Sequence, residues 1–313
     1  MPGLTDSASA QPAGTGQPAA LADGRQLAWL RRTILRWGAA NRRDLPWRAT
    51  RDPWLVLVSE MMLQQTQADR VVEPYRRFVD RFPTAAACAA AGPADVVRAW
   101  AGLGYNRRAV FLHRTASAVV ERHGGTFPAD LAALLALPGI GPYTARAVLV
   151  FAYEADVGVV DTNVARFLAR AVAGRPLSAN EAQDLADRLV PPGRSWEYSQ
   201  SVFDLGARHC RSRGPDCAGC PLRRRCAWAV AGWAAPDPAI GSAATSRPQS
   251  RFHGSDRQGR GRLVDALRRR PVRRADVAVA AGWPDDPDRA LKVADTLVGD
   301  GLAQWRGATL ELA

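Results

Sequence analysis

Lysine is almost missing from this chain. Of its 42 basic residues only Lys292 is a lysine and the rest are arginine, so covalent catalysis by a side-chain amine has no candidate nucleophile ahead of the tail. Histidine is scarce too: His113, His123, His209 and His253 are the whole set and show no ligand pattern. No uncharged apolar run is long enough to cross a bilayer, and no N-terminal stretch combines a charged start, an apolar core and a cleavage site. A soluble cytoplasmic protein with no membrane partner is expected. In such a compartment cysteines rarely form structural disulfides, so the five present are read for metal first.

What is there points to a polyanion. Net charge is +12 and the sequence pI ≈ 10.6, a balance suited to nucleic acid. The 313 residues have room for one large domain or two smaller ones. Residues 1–24 are Ala, Gly, Pro, Ser, Thr and Gln with almost no large apolar side chains, and read as a disordered tail;. From Arg25 a helical pattern of Leu27, Leu30, Ile34, Leu35 and Trp37 begins. Helices broken by short Gly/Pro stretches continue to Trp233 without sheet-like alternation, so 25–233 reads as an all-α domain. Residues 234–255 read as a Pro/Ala/Gly/Ser linker;. The tail, 256–313, offers helices at 261–270, 274–281 and 287–299, then a hairpin of 302–305 with 308–312;. That is the outline of a winged-helix-like module. Its first half, from Arg257 to Arg274, is strongly basic, which suits either a solvated charged helix or a DNA contact.

The stretch with most chemical content is Leu137-Pro138-Gly139-Ile140-Gly141-Pro142-Tyr143-Thr144-Ala145. Gly139 and Gly141 permit a tight turn and close approach of a ligand, and Pro142 suits the first position of a helix. Backbone N–H groups at such a helix start face outward and suit a phosphate. A helix of roughly eleven residues rises about 16 Å, and the following eight residues can span up to ~26 Å, so Asp161 can come back beside Tyr143. Asp161 or Thr162 would cap the next amphipathic helix, a position that lowers a carboxyl pKa. Taken alone, Asp161 is as well explained as a cap and nothing more.

Asp52-Pro53 starts another helix, through Ser59-Glu60-Met61-Met62-Leu63-Gln64-Gln65-Thr66-Gln67. Glu60 lies in apolar company, where burial raises its pKa as a general acid requires. Ser59, Glu60, Gln64 and Gln67 could also be an ordinary polar stripe. Cys210, Cys217, Cys220 and Cys226 give C-x6-C-x2-C-x5-C, and spacing alone leaves a four-cysteine zinc as the plain reading. Cys88 sits in an Ala-rich helix as a small buried side chain.

The segment 137–145 with Val160-Asp161-Thr162-Asn163 resembles the helix–hairpin–helix and Asp signature of the DNA glycosylase superfamily that includes endonuclease III. Breaking an N-glycosidic bond needs one carboxyl to protonate the base and one carboxylate to steady an oxocarbenium-like sugar, and Glu60 and Asp161 stand in suitably unlike environments. Superfamily members that nick the backbone resemble endonuclease III in a lysine where this chain has Tyr143, so a monofunctional enzyme is expected. Residues 59–67 closely resemble the adenine-glycosylase (MutY) signature, and Leu45-Pro46-Trp47 and Gly102-Leu103-Gly104-Tyr105 match as well. By these motifs the chain is identified as a member of that family, in a short actinobacterial-like form. A mismatch thymine glycosylase also carries Tyr after the hairpin, but resembles an arginine-bearing sequence where Gln64 and Gln65 stand here.

The resemblance implies a DNA repair glycosylase that removes adenine opposite 8-oxoguanine or guanine in double-stranded DNA, working as a monomer at the bacterial nucleoid. It implies that Glu60 protonates adenine N7, that Asp161 stabilises the sugar cation or a covalent intermediate, and that Tyr143 and Asn163 position them. Arg43, Leu45 and Trp47 would line the adenine pocket. Gln65 and Tyr105 would wedge into the duplex beside the opposing base, offsetting the lost stacking. Gln64, Thr66, Leu103, Gly139 and Gly141 would complete the DNA contacts. The four cysteines, within 210–226, would hold one [4Fe–4S] cluster, with Arg223, Arg224 and Arg225 a basic loop for phosphate. The MutT-like C-terminal domain usual in the family is not in this tail, which is too short and too helical.

Overall fold

The computed structural model describes residues 24–243, 245 and 251–313. Of the tail expected to be disordered, only Gly24 is among them; the rest lies outside the described residues. α1 (Gly24–Asn41) leads through a 3-10 turn at Pro46–Arg48 into α2 (Pro53–Leu63). α2 starts where it does because Asp52 Oδ1 accepts the N–H groups of Trp54 and Leu55, at 2.8 and 3.3 Å, with Pro53 at its first position;. It is apolar nearly all round and buries Val56, Leu57, Val58, Met61 and Met62, as a core helix must;. Around it lie α3 (Ala68–Arg81), α4 (Ala85–Ala90), α5 (Pro93–Ala99) and α6 (Arg107–His123). α7 (Leu131–Leu135) and α8 (Pro142–Tyr153) flank the hairpin, and α8 packs on α2.

A second core forms where the chain crosses back. α9 (Thr162–Phe167) runs into a π-helical turn, Leu168–Ala173, followed by α10 (Ala179–Leu189) and α11 (Ser195–Arg208). With α1 they bury Leu30, Ile34, Phe167, Leu168, Val202 and Leu205. The cysteine segment ends in α12 (Ala227–Val230). Glu60 therefore comes from one lobe and Asp161 from the edge of the other.

The stretch read as a linker is partly packed. Asp237 takes a two-pronged ion pair from buried Arg170, at 2.8 and 2.5 Å, and Ser242 Oγ accepts the Leu177 N–H at 3.1 Å. Residues 234–243 are thus a strap on the second lobe; its small residues hid this because its anchors are polar contacts to residues distant in sequence, not apolar periodicity. Residues 244 and 246–250 lie outside the described residues.

The C-terminal module contains α13 (Asp256–Arg269), β1 (Val272–Arg273), α14 (Val277–Ala281), α15 (Pro287–Gly299), β2 (Ala303–Arg306) and β3 (Thr309–Leu312). Its antiparallel sheet has the order β1-β3-β2, with Val272 and Trp305 opposite Leu310. Helix, strand, two helices, two strands is the winged-helix order. The helix expected over 274–281 begins as a 3-10 turn at Arg274–Asp276 and becomes α-helical only at Val277, and β1 before it, two residues long, leaves no alternation to read;. Leu263, Leu267, Leu297 and Leu310 join the same buried cluster as α2, so the module is docked and not dangling. Among the described residues no helix is long and apolar enough to cross a membrane.

Candidate active site

Between the lobes opens a cleft of about 1050 Å³. The hairpin forms one edge. Gly139 has φ +76°, in the left-handed region, and a Cβ there would lie 2.6 Å from Cβ of Phe111, so only glycine fits;. Gly141 caps α8, whose first turn carries Tyr143 into the cleft.

Tyr143 Oη donates to Glu60 Oε2 at 2.7 Å. Glu60 is 4% exposed, and burial pushes its pKa up to about 7;. The Tyr143 hydrogen bond pulls the other way, the charge of Asp161 adds to the rise, and Arg48 opposes it. The two carboxyls thus line one cleft and feel each other. Burial and Glu60 together hold the Tyr143 phenol well above its ordinary value, so it stays a donor.

Asp161 caps α9 through Oδ1, which accepts the Val164 N–H at 2.7 Å, while Oδ2 accepts Asn163 Nδ2 at 2.7 Å. The expected lowering of its pKa is corrected: the net shift is upward. Burial outweighs the Val164 and Asn163 hydrogen bonds and the charge of Arg166;. Asn163 is itself fixed by Arg166, whose Nη2 donates to Asn163 Oδ1 at 2.6 Å and whose Nε donates to the Cys210 carbonyl at 2.9 Å. Behind Asn163, Gly206 of α11 leaves no room for a Cβ, which would sit 2.8 Å from Asn163 Cβ.

Arg43, Leu45 and Trp47 line the same cleft. Trp47 is wedged edge-on against Tyr75. Arg43 Nε donates to Asp204 Oδ1 at 2.7 Å, and Arg48 grips both oxygens of that carboxylate at 2.7 and 3.0 Å. Burial pushes Asp204 up, but the hydrogen bonds and charge of Arg48, with Arg43, outweigh it and hold it below the usual carboxylate range. Arg48 Nε is a buried donor with no partner at this wall. Sequence reasoning missed Arg48, Asp204 and Arg166. The only available signal was charge on otherwise apolar helical faces.

Gln64, Gln65 and Thr66 also line the cleft, with Gln64 Nε2 donating to Thr144 Oγ1 beside the hairpin at 3.4 Å. Gln65 and Tyr105 both adopt left-handed backbone, with φ 55° and 45°, at a cost of about 1–3 kcal/mol each. One buried side chain, also missed from the sequence, organises both turns. Arg108 donates through Nη1 to the carbonyls of Met61, Met62 and Gln64 at 2.7, 2.9 and 2.6 Å. Through Nη2 it holds Thr66 Oγ1 and the carbonyls of Leu103 and Gly104, at 3.3, 3.3 and 3.1 Å. Burial lowers its pKa only to about 10, so it remains a cation. Tyr105 is 40% exposed and stands outside the cleft wall. Leu103 is buried in the core at 4% exposure, and only its carbonyl serves the loop.

Cys210, Cys217, Cys220 and Cys226 are not in the cleft but line one separate cavity, walled by Phe167, Leu205, Leu222 and Trp228. Among the described residues no three Cys, His, Asp or Glu side chains converge as a single ion requires. The four thiols line that space together, as the ligands of one four-cysteine centre would. The one histidine there, His209, is taken by Asp216 at 3.0 Å, which leaves an all-sulfur donor set. Burial pushes the Cys220 thiol up to about 12, so a thiolate there needs a cationic centre. Arg223, Arg224 and Arg225 form an exposed turn beside it.

The model of the HhH-GPD superfamily, base excision DNA repair proteins, matches residues 58–192. The chain is 44% identical over 277 residues to an adenine DNA glycosylase of Mycolicibacterium smegmatis, covering 87% of this chain and 91% of that one. With an adenine DNA glycosylase of Mycobacterium tuberculosis it shares 43% over 302 residues, covering 93% of each. Among solved structures it superposes on a thermostable thymine-DNA glycosylase with a TM-score of 0.62 and 28% identity, over 67% of this chain and 99% of that one.

Proposed function

Since this chain belongs to the adenine DNA glycosylases of the HhH-GPD superfamily, we propose that the cleft releases adenine from A:8-oxoguanine and A:G mispairs, without nicking the strand. DNA is the partner and hydrolysis of the N-glycosidic bond the reaction. The observation that carries the reading is Glu60 and Asp161 lining one cleft, with Tyr143 hydrogen-bonded to the first.

A carboxyl with a pKa of about 7 is still substantially protonated at neutral pH, and gives its proton to adenine N7. The C1′–N9 bond then breaks and the base leaves neutral. Positive charge develops on the sugar and favours the anionic form of Asp161, held in place by Val164 and Asn163. Water adds at C1′ and its proton restores Glu60. Arg43, Leu45 and Trp47 hold the flipped base, and Arg48 acts from behind them by fixing Asp204. Gly139 and Gly141 seat a phosphate, while Gln65 and Tyr105 fill the emptied position and face the opposing base, with Gln64 and Thr66 among the DNA contacts beside them. Tyr143 occupies the place of the strand-nicking lysine, and Lys292 lies on α15. Cys210, Cys217, Cys220 and Cys226 would hold one [4Fe–4S] cluster, which would brace the 223–225 turn. The protein acts as a monomer.

The test is excision from A:8-oxoguanine, A:G and T:G duplexes. Adenine release from the first two, thymine retained, and an unbroken backbone before alkali are the expected results. Asp161→Asn should abolish release while binding the A:8-oxoguanine duplex within about threefold of wild type, because it removes charge and almost no volume. Wild-type turnover by that variant would end the proposal.

A further inference from the structure

The C-terminal module touches the glycosylase body at a telling place. Arg268, on α13, reaches across with its side chain 10% exposed. Its Nε donates to the carbonyl of Val97 at 3.1 Å and its Nη2 to Asn106 Oδ1 at 2.7 Å. Val97 lies on α5, just before the loop that carries Tyr105, and Asn106 follows Tyr105 directly. One guanidinium therefore clasps both ends of that loop.

Asn106 is the N-cap residue of α6 but makes no capping hydrogen bond. A capping asparagine ordinarily accepts an N–H of the first helical turn. Here its carbonyl oxygen is turned to Arg268 instead. A second clasp lies beside it: Arg107 pairs with Asp300 at 3.3 Å, and Asp300 is also held by Arg260 of α13 at 2.5 Å. Arg107 in turn covers the ring of Phe111, the residue against which Gly139 of the hairpin is pressed. From the inner side, Arg108 ties the same loop to the Gln64–Thr66 turn. The left-handed backbone of Tyr105 is thus held from within by the body and from without by the module.

We propose that the C-terminal module, through Arg268 acting on Asn106 and Val97, positions the Tyr105 loop and so sets the preference for the base opposite adenine. Arg268 is a positioning residue. The inference rests on the reading that Tyr105 faces the opposing base. It gives this short chain a route to discrimination that needs no second reading domain: the module orders the loop that reads, and need not touch the base itself.

The experiment uses the full chain, with single-turnover excision at saturating enzyme on adenine opposite 8-oxoguanine, guanine or an abasic analogue. Arg268→Ala and Asn106→Ala should each lower the 8-oxoguanine-to-guanine rate ratio about tenfold, equivalent to ~1.4 kcal/mol. Neither should change the rate opposite the abasic analogue, where there is no base to read. The double variant should lose no more than either single one, because both break the same contact. Arg268→Lys, able to make one bond but not the fork, should fall between. A folded variant that keeps its ratio, an equal fall on all three duplexes, or additive losses would overturn the inference. Should Arg268→Ala fail to fold, Asn106→Ala decides alone. A wild type with no preference between 8-oxoguanine and guanine would overturn the reading of Tyr105 and the inference with it, whereas intact preference in the variants sinks the inference only.

Discussion

Glu60 holds its proton because α2 is buried on every side, and that has consequences for both rate and stability. With a folded pKa near 7, the acid form is lost as pH rises through neutrality, so excision should fall above about pH 7. Glu60→Gln should be slower by ~10²–10⁴ and lose that pH dependence. Linkage gives a second, independent check. In the unfolded chain Glu60 titrates near 4.5 and in the folded one near 7, so its contribution to stability is fully present below 4.5 and is lost as pH rises through 7. Over roughly 2.5 units this is ~3 kcal/mol. In urea unfolding, Glu60→Gln should match wild type at pH 4.5 and exceed it by up to about that amount at pH 8. A gap that does not widen with pH would show that Glu60 ionises like an exposed glutamate. This shift was legible in the sequence because the apolar run around Glu60 is local. The upward shift of Asp161 was not: its helix N-terminus is local, but the burial that outweighs it comes from a lobe folded over it. Arg48 and Asp204 were illegible for the same reason, being 156 residues apart.

Elements that announce themselves by periodicity and caps were readable to within a few residues. The helix expected to start at Pro142 runs Pro142–Tyr153, and α15 has the expected bounds, 287–299. β1 and the 234–243 strap were not readable, since each is defined by partners elsewhere. The contact of α11 with Asn163 belongs to this class and carries a sharp prediction. Alanine suits a helix better than glycine by about 1 kcal/mol, so Gly206→Ala would ordinarily stabilise α11. Here the new Cβ meets Asn163 Cβ at 2.8 Å and its carbonyl oxygen at 3.1 Å, and backbone cannot move aside as a flexible side chain can. Asn163 must shift, and with it the donor on Asp161. We expect kcat to fall at least about tenfold with KM little changed, and the strain to lower the unfolding midpoint, since overpacking typically costs ~1–3 kcal/mol. Wild-type kcat would mean that Asp161 is held by its Val164 N–H alone.

At the scale of the molecule, a net charge of +12 attracts a phosphate backbone whatever its sequence, so charge by itself discriminates little. Selectivity has to come from geometry: two lobes that each bring one carboxyl to a shared cleft, with a docked module in contact with the Tyr105 loop outside its wall. The cysteine segment contributes at this same scale. Its arginine turn is exposed and lies between Cys220 and Cys226, so a centre held by those thiols would fix its placement. Cys220→Ser should therefore abolish the brown colour and the roughly four irons per chain of a [4Fe–4S] protein. Releasing the turn should also make the log–log salt dependence of duplex binding shallower, by up to about 2.7 if all three arginines each neutralise a phosphate. Metal analysis with a salt titration checks both. Zinc in a colourless wild type would replace the cluster with a structural ion, and an unchanged salt slope in Cys220→Ser would mean that the turn does not bind DNA.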